Sequence, residues 1–217
     1  MICVSIREDN FEKTVSTIKS VNLMDAGLLE INLDRYKFSD QQVRYIFSMP
    51  GEMIAVCRPG TVEDEKRLQI LKTALDWGAD YVDLEVDSED NYSGSIIEHA
   101  REKGKKVIIS YHNHETTPPE EELKKALQTC FRRGANIAKI ACLTSNHDEA
   151  ARMMSIYQYF EKSTIISIGM GEEGKITRIA AQFLGAPFTY ASAREDKNTA
   201  QGQLEFEKMK RIIREIY

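Results

Sequence analysis

The sequence predicts a (β/α)8 barrel, a single domain across residues 1–217, on three observations. Eight short, β-branched apolar runs alternate with longer amphipathic ones from end to end, with no long linker or low-complexity stretch between them. Gly78, Gly104, Gly134 and Gly185 each follow an amphipathic run, where a helix terminates most easily in a left-handed residue. The length of 217 residues is near the short end of what eight βα units require. An open doubly wound sheet is the competing arrangement, but the first strand is not followed by GxGxxG and the chain has no P-loop.

In chain order, the strand Ile2–Ser5 is followed by a helix near Asn10–Ser20, Gly27–Leu33 by Ser39–Phe47, and Met53–Cys57 by Glu63–Trp77. The pattern continues with Tyr81–Val86 and Ser93–Lys103, Lys106–Tyr111 and Pro119–Arg133, then Ile137–Ala141 and Asp148–Glu161. Thr164–Gly169 with Lys175–Leu184, and Pro187–Ala191 with Leu204–Ile216, complete eight units. Thr117-Pro118-Pro119-Glu120 has the chemistry of a helix start, a capping hydroxyl with proline in the first turn. Repeated βα units with short links favour a parallel sheet.

Composition narrows the function classes. Hydrophobic residues are 42% and charged residues 29% of the chain, the balance of an ordinary soluble enzyme. The net charge of −5 is spread without a basic block, so neither nucleic acid nor an anionic membrane is an expected partner. Met1-Ile2-Cys3-Val4-Ser5-Ile6 is too short an apolar run for a signal peptide and no run approaches a bilayer span, which predicts a cytoplasmic protein. Cys3, Cys57, Cys130 and Cys142 lack CxxC spacing and fall inside strands and helices, so they are expected as reduced, buried thiols, and no metal site is expected.

Side chains alternate across a strand, and the apolar set should face the helices. Leu29, Ile31 and Leu33 leave Glu30, Asn32 and Asp34 facing inward; Val82, Leu84 and Val86 leave Asp83 and Glu85; Val107 and Ile109 leave Ser110 and His112. Polar groups therefore gather inside the barrel. In Ile137-Ala138-Lys139-Ile140-Ala141 both parities are apolar, so alternation does not place Lys139. An ammonium among such neighbours is costly unless neutralised. Two explanations remain open: an ion pair with a carboxylate such as Glu85, or a nucleophilic amine. His112 lies in Ser110-Tyr111-His112-Asn113-His114, at the carboxyl end of a strand where barrel active sites assemble. It is either a hydrogen-bonded structural group or a proton shuttle. Arg58, Arg178 and Gln203 lie beyond strands or in following elements. They are either solvated polar groups or, for the two arginines, clamps for a carboxylate or a hydroxyl-rich ligand.

Four stretches carry a resemblance: Val107 through Asn113 with Thr117-Pro118; Gly134-Ala135-Asn136-Ile137-Ala138-Lys139-Ile140-Ala141; Ser167-Ile168-Gly169-Met170-Gly171 through Arg178; and Thr199-Ala200-Gln201-Gly202-Gln203. In their order and spacing the chain resembles the type I 3-dehydroquinate dehydratases over essentially its whole length. The resemblance implies conversion of 3-dehydroquinate to 3-dehydroshikimate in the shikimate pathway of aromatic amino-acid biosynthesis, with no metal or organic cofactor. It also implies Lys139 as the Schiff-base lysine and His112 as general acid/base, with Glu63 near the position of a loop glutamate that partners the histidine. Arg178, Gln203 and Thr199 would hold the substrate carboxylate, and Glu30 and Arg58 its hydroxyls. Members of the family usually carry arginine two residues after that glutamate; here the position is Asn32, another expected substrate contact, and the terminal loop has Gln201 where proline is usual. A homodimer is a candidate assembly. A different Schiff-base lyase or aldolase on the same barrel, and a non-catalytic metabolite-binding derivative, are the alternatives.

Overall fold

Each apolar run forms a strand and each amphipathic run packs back over it, and the computed structural model describes the chain except for Thr61, Ser163, residues 195–198 and Tyr217. The strands are β1 (Ile2–Ile6), β2 (Leu28–Asn32), β3 (Glu52–Val56), β4 (Tyr81–Glu85), β5 (Lys106–Asn113), β6 (Ile137–Leu143), β7 (Ile165–Met170) and β8 (Thr189–Ser192). They alternate with α1 (Phe11–Leu23), α2 (Asp40–Phe47), α3 (Asp64–Asp76), α4 (Asp90–Glu102), α5 (Glu120–Arg132), α6 (His147–Ser155), α7 (Lys175–Leu184) and α8 (Phe206–Ile216). The sheet runs β7-β6-β5-β4-β3-β2-β1-β8, all pairs parallel, which is a nearly closed (β/α)8 barrel. Among the described residues the β7 and β8 edges share no ladder.

The outward strand residues Leu29, Ile31, Val82, Leu84, Val107, Ile109, Ala138 and Ile140 are buried against the helices, as alternation predicts. Each large aliphatic side chain so buried contributes about 1.5–3 kcal/mol. Inside the barrel a second apolar cluster takes Leu28, Tyr81 and Ile137 from even strands with Phe188 at the foot of β8. Cys3, Ile54, Ile108 and Ile166 join it from odd strands, giving the alternate-strand layering of such barrels. This plug leaves the carboxyl ends of the strands free to hold polar groups.

Three local expectations are corrected. The helix expected from Ser93 begins at Asp90, because an acidic residue is favoured in a first turn and the backbone bends after Glu89. The helix expected over Asp148–Glu161 ends at Ser155 and tightens into a 3₁₀ turn over Ile156–Tyr159. There the buried Tyr157 hydroxyl bonds both the backbone N–H and the carbonyl of Ser167 in β7. Thr117 does not cap α5: its hydroxyl donates to the carbonyl of Leu143, tying the loop to the end of β6. The glycine expectation holds, most sharply at Gly78, where φ is 130° and a Cβ would lie 2.2 Å from the carbonyl oxygen of Phe47. All four cysteines are buried, free thiols.

Candidate active site

One inward step above the apolar plug, the even strands contribute Glu30, Asp83, Lys139 and Tyr190. The Lys139 ammonium lies 2.5 Å from Asp83 Oδ2, 3.8 Å from Glu30 Oε2 and 4.8 Å from the centre of the Tyr190 ring. It is 4% exposed, so the ion contacts and the aromatic face replace water around it. Ser110 donates to Asp83 Oδ1 at 2.6 Å and Ser5 to Glu30 Oε1 at 3.1 Å, which satisfies one oxygen of each carboxylate.

Arg58, just past β3, binds Asp83 at 3.1 Å through Nη2 and Glu85 at 2.8 Å through Nη1. Glu85 in turn accepts from His112 Nδ1 at 3.0 Å. A carboxylate can only accept, so Nδ1 carries the proton and Nε2 has the free lone pair. Burial pushes the His112 imidazole below its ordinary pKa, against the upward pull of Glu85 and with a further downward push from Arg58. Burial opposes ionisation of Glu85 and Asp83, but Arg58 with His112 in the first case, and Arg58 with Lys139 in the second, outweigh it and hold both carboxyls below the usual range. The ions thus form one chain: His112, Glu85, Arg58, Asp83, Lys139, Glu30.

All of these but Asp83, which lies beneath, line a cavity of about 320 Å³ at the carboxyl ends of the strands. Arg178 enters it from α7 and is 1% exposed. Among the described residues its one hydrogen bond is a long one, 3.5 Å from Nη2 to the carbonyl of Gln201, and its buried Nε has no partner. Burial lowers its pKa to about 10, opposed by the charge of Glu30. A buried guanidinium that makes no ion pair among the described residues is suited to receive an anion. The loop over it is fixed by close backbone approach: Gln201 O accepts from Gly171 N–H at 3.1 Å, and a Cβ on Gly202 (φ 74°) would sit 2.0 Å from Gly171 O. Gln203 Oε1 accepts from Thr199 N–H and hydroxyl at 2.8 and 3.1 Å, and its Nε2 donates to Ser5 at 3.3 Å.

Of the residues expected from sequence, Lys139, His112, Glu30, Asn32, Arg58, Arg178, Thr199 and Gln203 all line this cavity. Glu63 does not. It occupies the N-terminal boundary of α3, exposed and without a side-chain capping bond, and the carboxylate on His112 is Glu85 instead. The carboxylate that neutralises Lys139, for which Glu85 serves as the example in the sequence, is Asp83. Hydrogen-bond register makes Glu85, Ser110 and Lys139 partners, but barrel strands are tilted, so the residue level with Lys139 two strands away is one inward step lower. Asp83 had been placed inward without a role; layering by alternate strands was the signal that pointed to it. Tyr190 and Arg7 also line the cavity and stood in no motif.

Comparison with known proteins follows the same lines. The profile of the type I 3-dehydroquinase family matches residues 2–217. The chain is similar to the 3-dehydroquinate dehydratase of Methanocaldococcus jannaschii, at 31% identity over 99% of this chain and 98% of that protein. Among solved structures it is similar to the 3-dehydroquinate dehydratase of Aquifex aeolicus, with 29% identity, a TM-score of 0.84, and coverage of 100% of this chain and 99% of that one. The enzyme of the same name from Geobacillus kaustophilus shares the fold, with a TM-score of 0.90 at 19% identity over 99% of this chain and 90% of that chain.

Proposed function

The chain belongs to the type I 3-dehydroquinase family, and we infer that it is the carbon–oxygen lyase that dehydrates 3-dehydroquinate to 3-dehydroshikimate, a step of the shikimate pathway. The observation that carries the residue assignment is a buried amine, a histidine with a free Nε2 and a buried guanidinium with no ion pair among the described residues, gathered around one cavity.

The chemistry needs an electron sink, because the carbanion formed beside a ketone has only the carbonyl oxygen to hold its charge. Lys139 attacks the ketone carbon and water leaves, giving a protonated imine. Before attack the lysine must shed a proton; Arg58 still pairs with Asp83 when it does, so the carboxylate is not left isolated. His112 Nε2 then takes a proton from the adjacent ring carbon, and the electron pair moves into the imine as an enamine. The electrons return to expel the hydroxyl on the next carbon, which the imidazolium protonates so that it departs as water. Hydrolysis of the imine releases the enone and restores the amine. Arg178, with Gln203 and Thr199 closing the loop above it, holds the substrate carboxylate so that the reacting proton faces His112. Glu30 and Arg58 lie toward the ring hydroxyls. The sequence of steps calls on no metal or organic cofactor.

Incubation with 3-dehydroquinate should produce conjugated-enone absorbance at a rate unaffected by chelators. Carbon–carbon cleavage products would favour the aldolase alternative, and no turnover would favour a binding protein. The lack of a basic block in the chain supports a small-molecule substrate over nucleic acid, and a biosynthetic step on a small polar metabolite suits a cytoplasmic location. No described helix is long and apolar enough to cross a membrane. The half-exposed Ile176, Phe183, Leu184 and Ile216 form an apolar groove between α6, α7 and α8, the face that would suit a homodimer.

A further inference from the structure

Beside Asn32 the cavity wall carries a cation from a different strand. Ile6 of β1 is in register with Ile31 of β2, so Arg7, the next residue, stands beside Asn32. Ser5 and Arg7 share one parity, as do Glu30 and Asn32, and all four line the cavity. Among the described residues Arg7 is anchored through Nη2 alone, which binds Asp34, whose side chain is 6% exposed, while Nε is buried with no hydrogen-bond partner. Its side chain remains 33% exposed toward the cavity mouth. The Asn32 amide, in contrast, is spent within the protein, donating to the carbonyl of Ile6 at 3.3 Å and to Glu30 at 3.4 Å.

We propose that Arg7 is a specificity-determining residue of this enzyme, donating from β1 to a ring hydroxyl of the substrate in place of a guanidinium at position 32. The proposal rests on the dehydratase assignment above. With the ketone bound by Lys139 and the carboxylate by Arg178, the two hydroxyls that survive dehydration are left to the remaining wall. A vicinal diol there needs an acceptor and a donor. Glu30 is a carboxylate and only accepts; Arg7 only donates, and its Nη1, which makes no hydrogen bond or ion pair among the described residues, matches a hydroxyl oxygen. Asp34 fixes the side chain before substrate arrives, so less rotamer freedom is lost on binding. Because these hydroxyls are unchanged between substrate and transition state, the contact is uniform binding and belongs in KM rather than kcat.

The test is steady-state kinetics with 3-dehydroquinate on wild type, Arg7→Ala, Arg7→Lys and the double variant Arg7→Ala/Asn32→Arg, with melting temperatures recorded alongside. Arg7→Ala should raise KM about tenfold or more while kcat stays within about threefold, the size of a lost charge-assisted hydrogen bond. Arg7→Lys should recover part of the loss, and the double variant most of it. An Arg7→Ala enzyme with wild-type KM overturns the proposal. So does a loss confined to kcat and melting temperature, which would make the Arg7–Asp34 pair structural, and so does a KM that Asn32→Arg does not improve. Absence of turnover by the wild type would instead overturn the dehydratase assignment on which the proposal stands.

Discussion

Leu28, Tyr81, Ile137 and Phe188 occupy one level of the barrel interior, and Glu30, Asp83, Lys139 and Tyr190 the level two residues further along the same strands. Both levels are almost completely removed from water. The lower one is an apolar plug whose burial favours the folded state. The upper one buries an ammonium and two carboxylates, each of which costs several kcal/mol to desolvate, offset by the pairs among them and by Arg58, Ser110, Ser5 and the Tyr190 ring. An apolar layer would serve stability at least as well, so the charges are there for chemistry. The contrast separates what holds this barrel together from what it does by a single inward step.

The largest effect should come from the ionic layer. Lys139→Ala removes the electron sink and should lower kcat by at least about 10³-fold. Asp83 keeps Arg58 and Ser110 as partners in that variant, so circular dichroism should show the fold retained. Substantial turnover by the variant would place the nucleophile elsewhere. Next, His112→Ala should reduce turnover by about 10²–10⁴-fold, as expected for a lost general acid/base. Wild-type kcat/KM should fall as pH drops through the His112 pKa, which burial sets below the ordinary value of about 6.5. Glu85 raises that pKa, so Glu85→Gln should move the acid limb to still lower pH. A limb that moves upward would show that Glu85 does not govern the histidine.

The plug should behave in the opposite sense. Ile54→Ala leaves a cavity among Cys3, Ile108 and their neighbours and should cost about 2–5 kcal/mol in chemical denaturation. Its kcat/KM, measured well below the melting temperature, should change little. A plug variant that lost activity without losing stability would break the separation between the two levels.

Much of this arrangement was legible in the sequence, where a strand's two parities differed in polarity. Glu30, Asn32, Glu85 and His112 were placed inward by that contrast alone, and Lys139 entered through its motif. What alternation could not supply was the neighbour across the barrel. That Lys139 faces Asp83 rather than Glu85 follows from register and tilt between strands, which no local pattern encodes. The partner of His112 is Glu85, which alternation already sets on the inward face of β4, and not Glu63, which enters only through the family resemblance. Arg7 is legible only once Ile6 is known to pair with Ile31, which brings it beside Asn32. The helices differ from expectation only at their ends, where Asp90 brings an acidic first turn ahead of Ser93 and a tertiary contact of Tyr157 follows the end of α6 at Ser155.

The central claim is that Lys139 becomes covalently joined to the substrate, and borohydride trapping tests it most directly. Borohydride reduces a protonated imine to a stable secondary amine, so its addition during turnover of 3-dehydroquinate should inactivate the enzyme, and only when substrate is present. Peptide mass spectrometry should then find the reduced adduct on the peptide containing Lys139. An adduct on a different lysine, or full activity after borohydride treatment during turnover, would contradict the account.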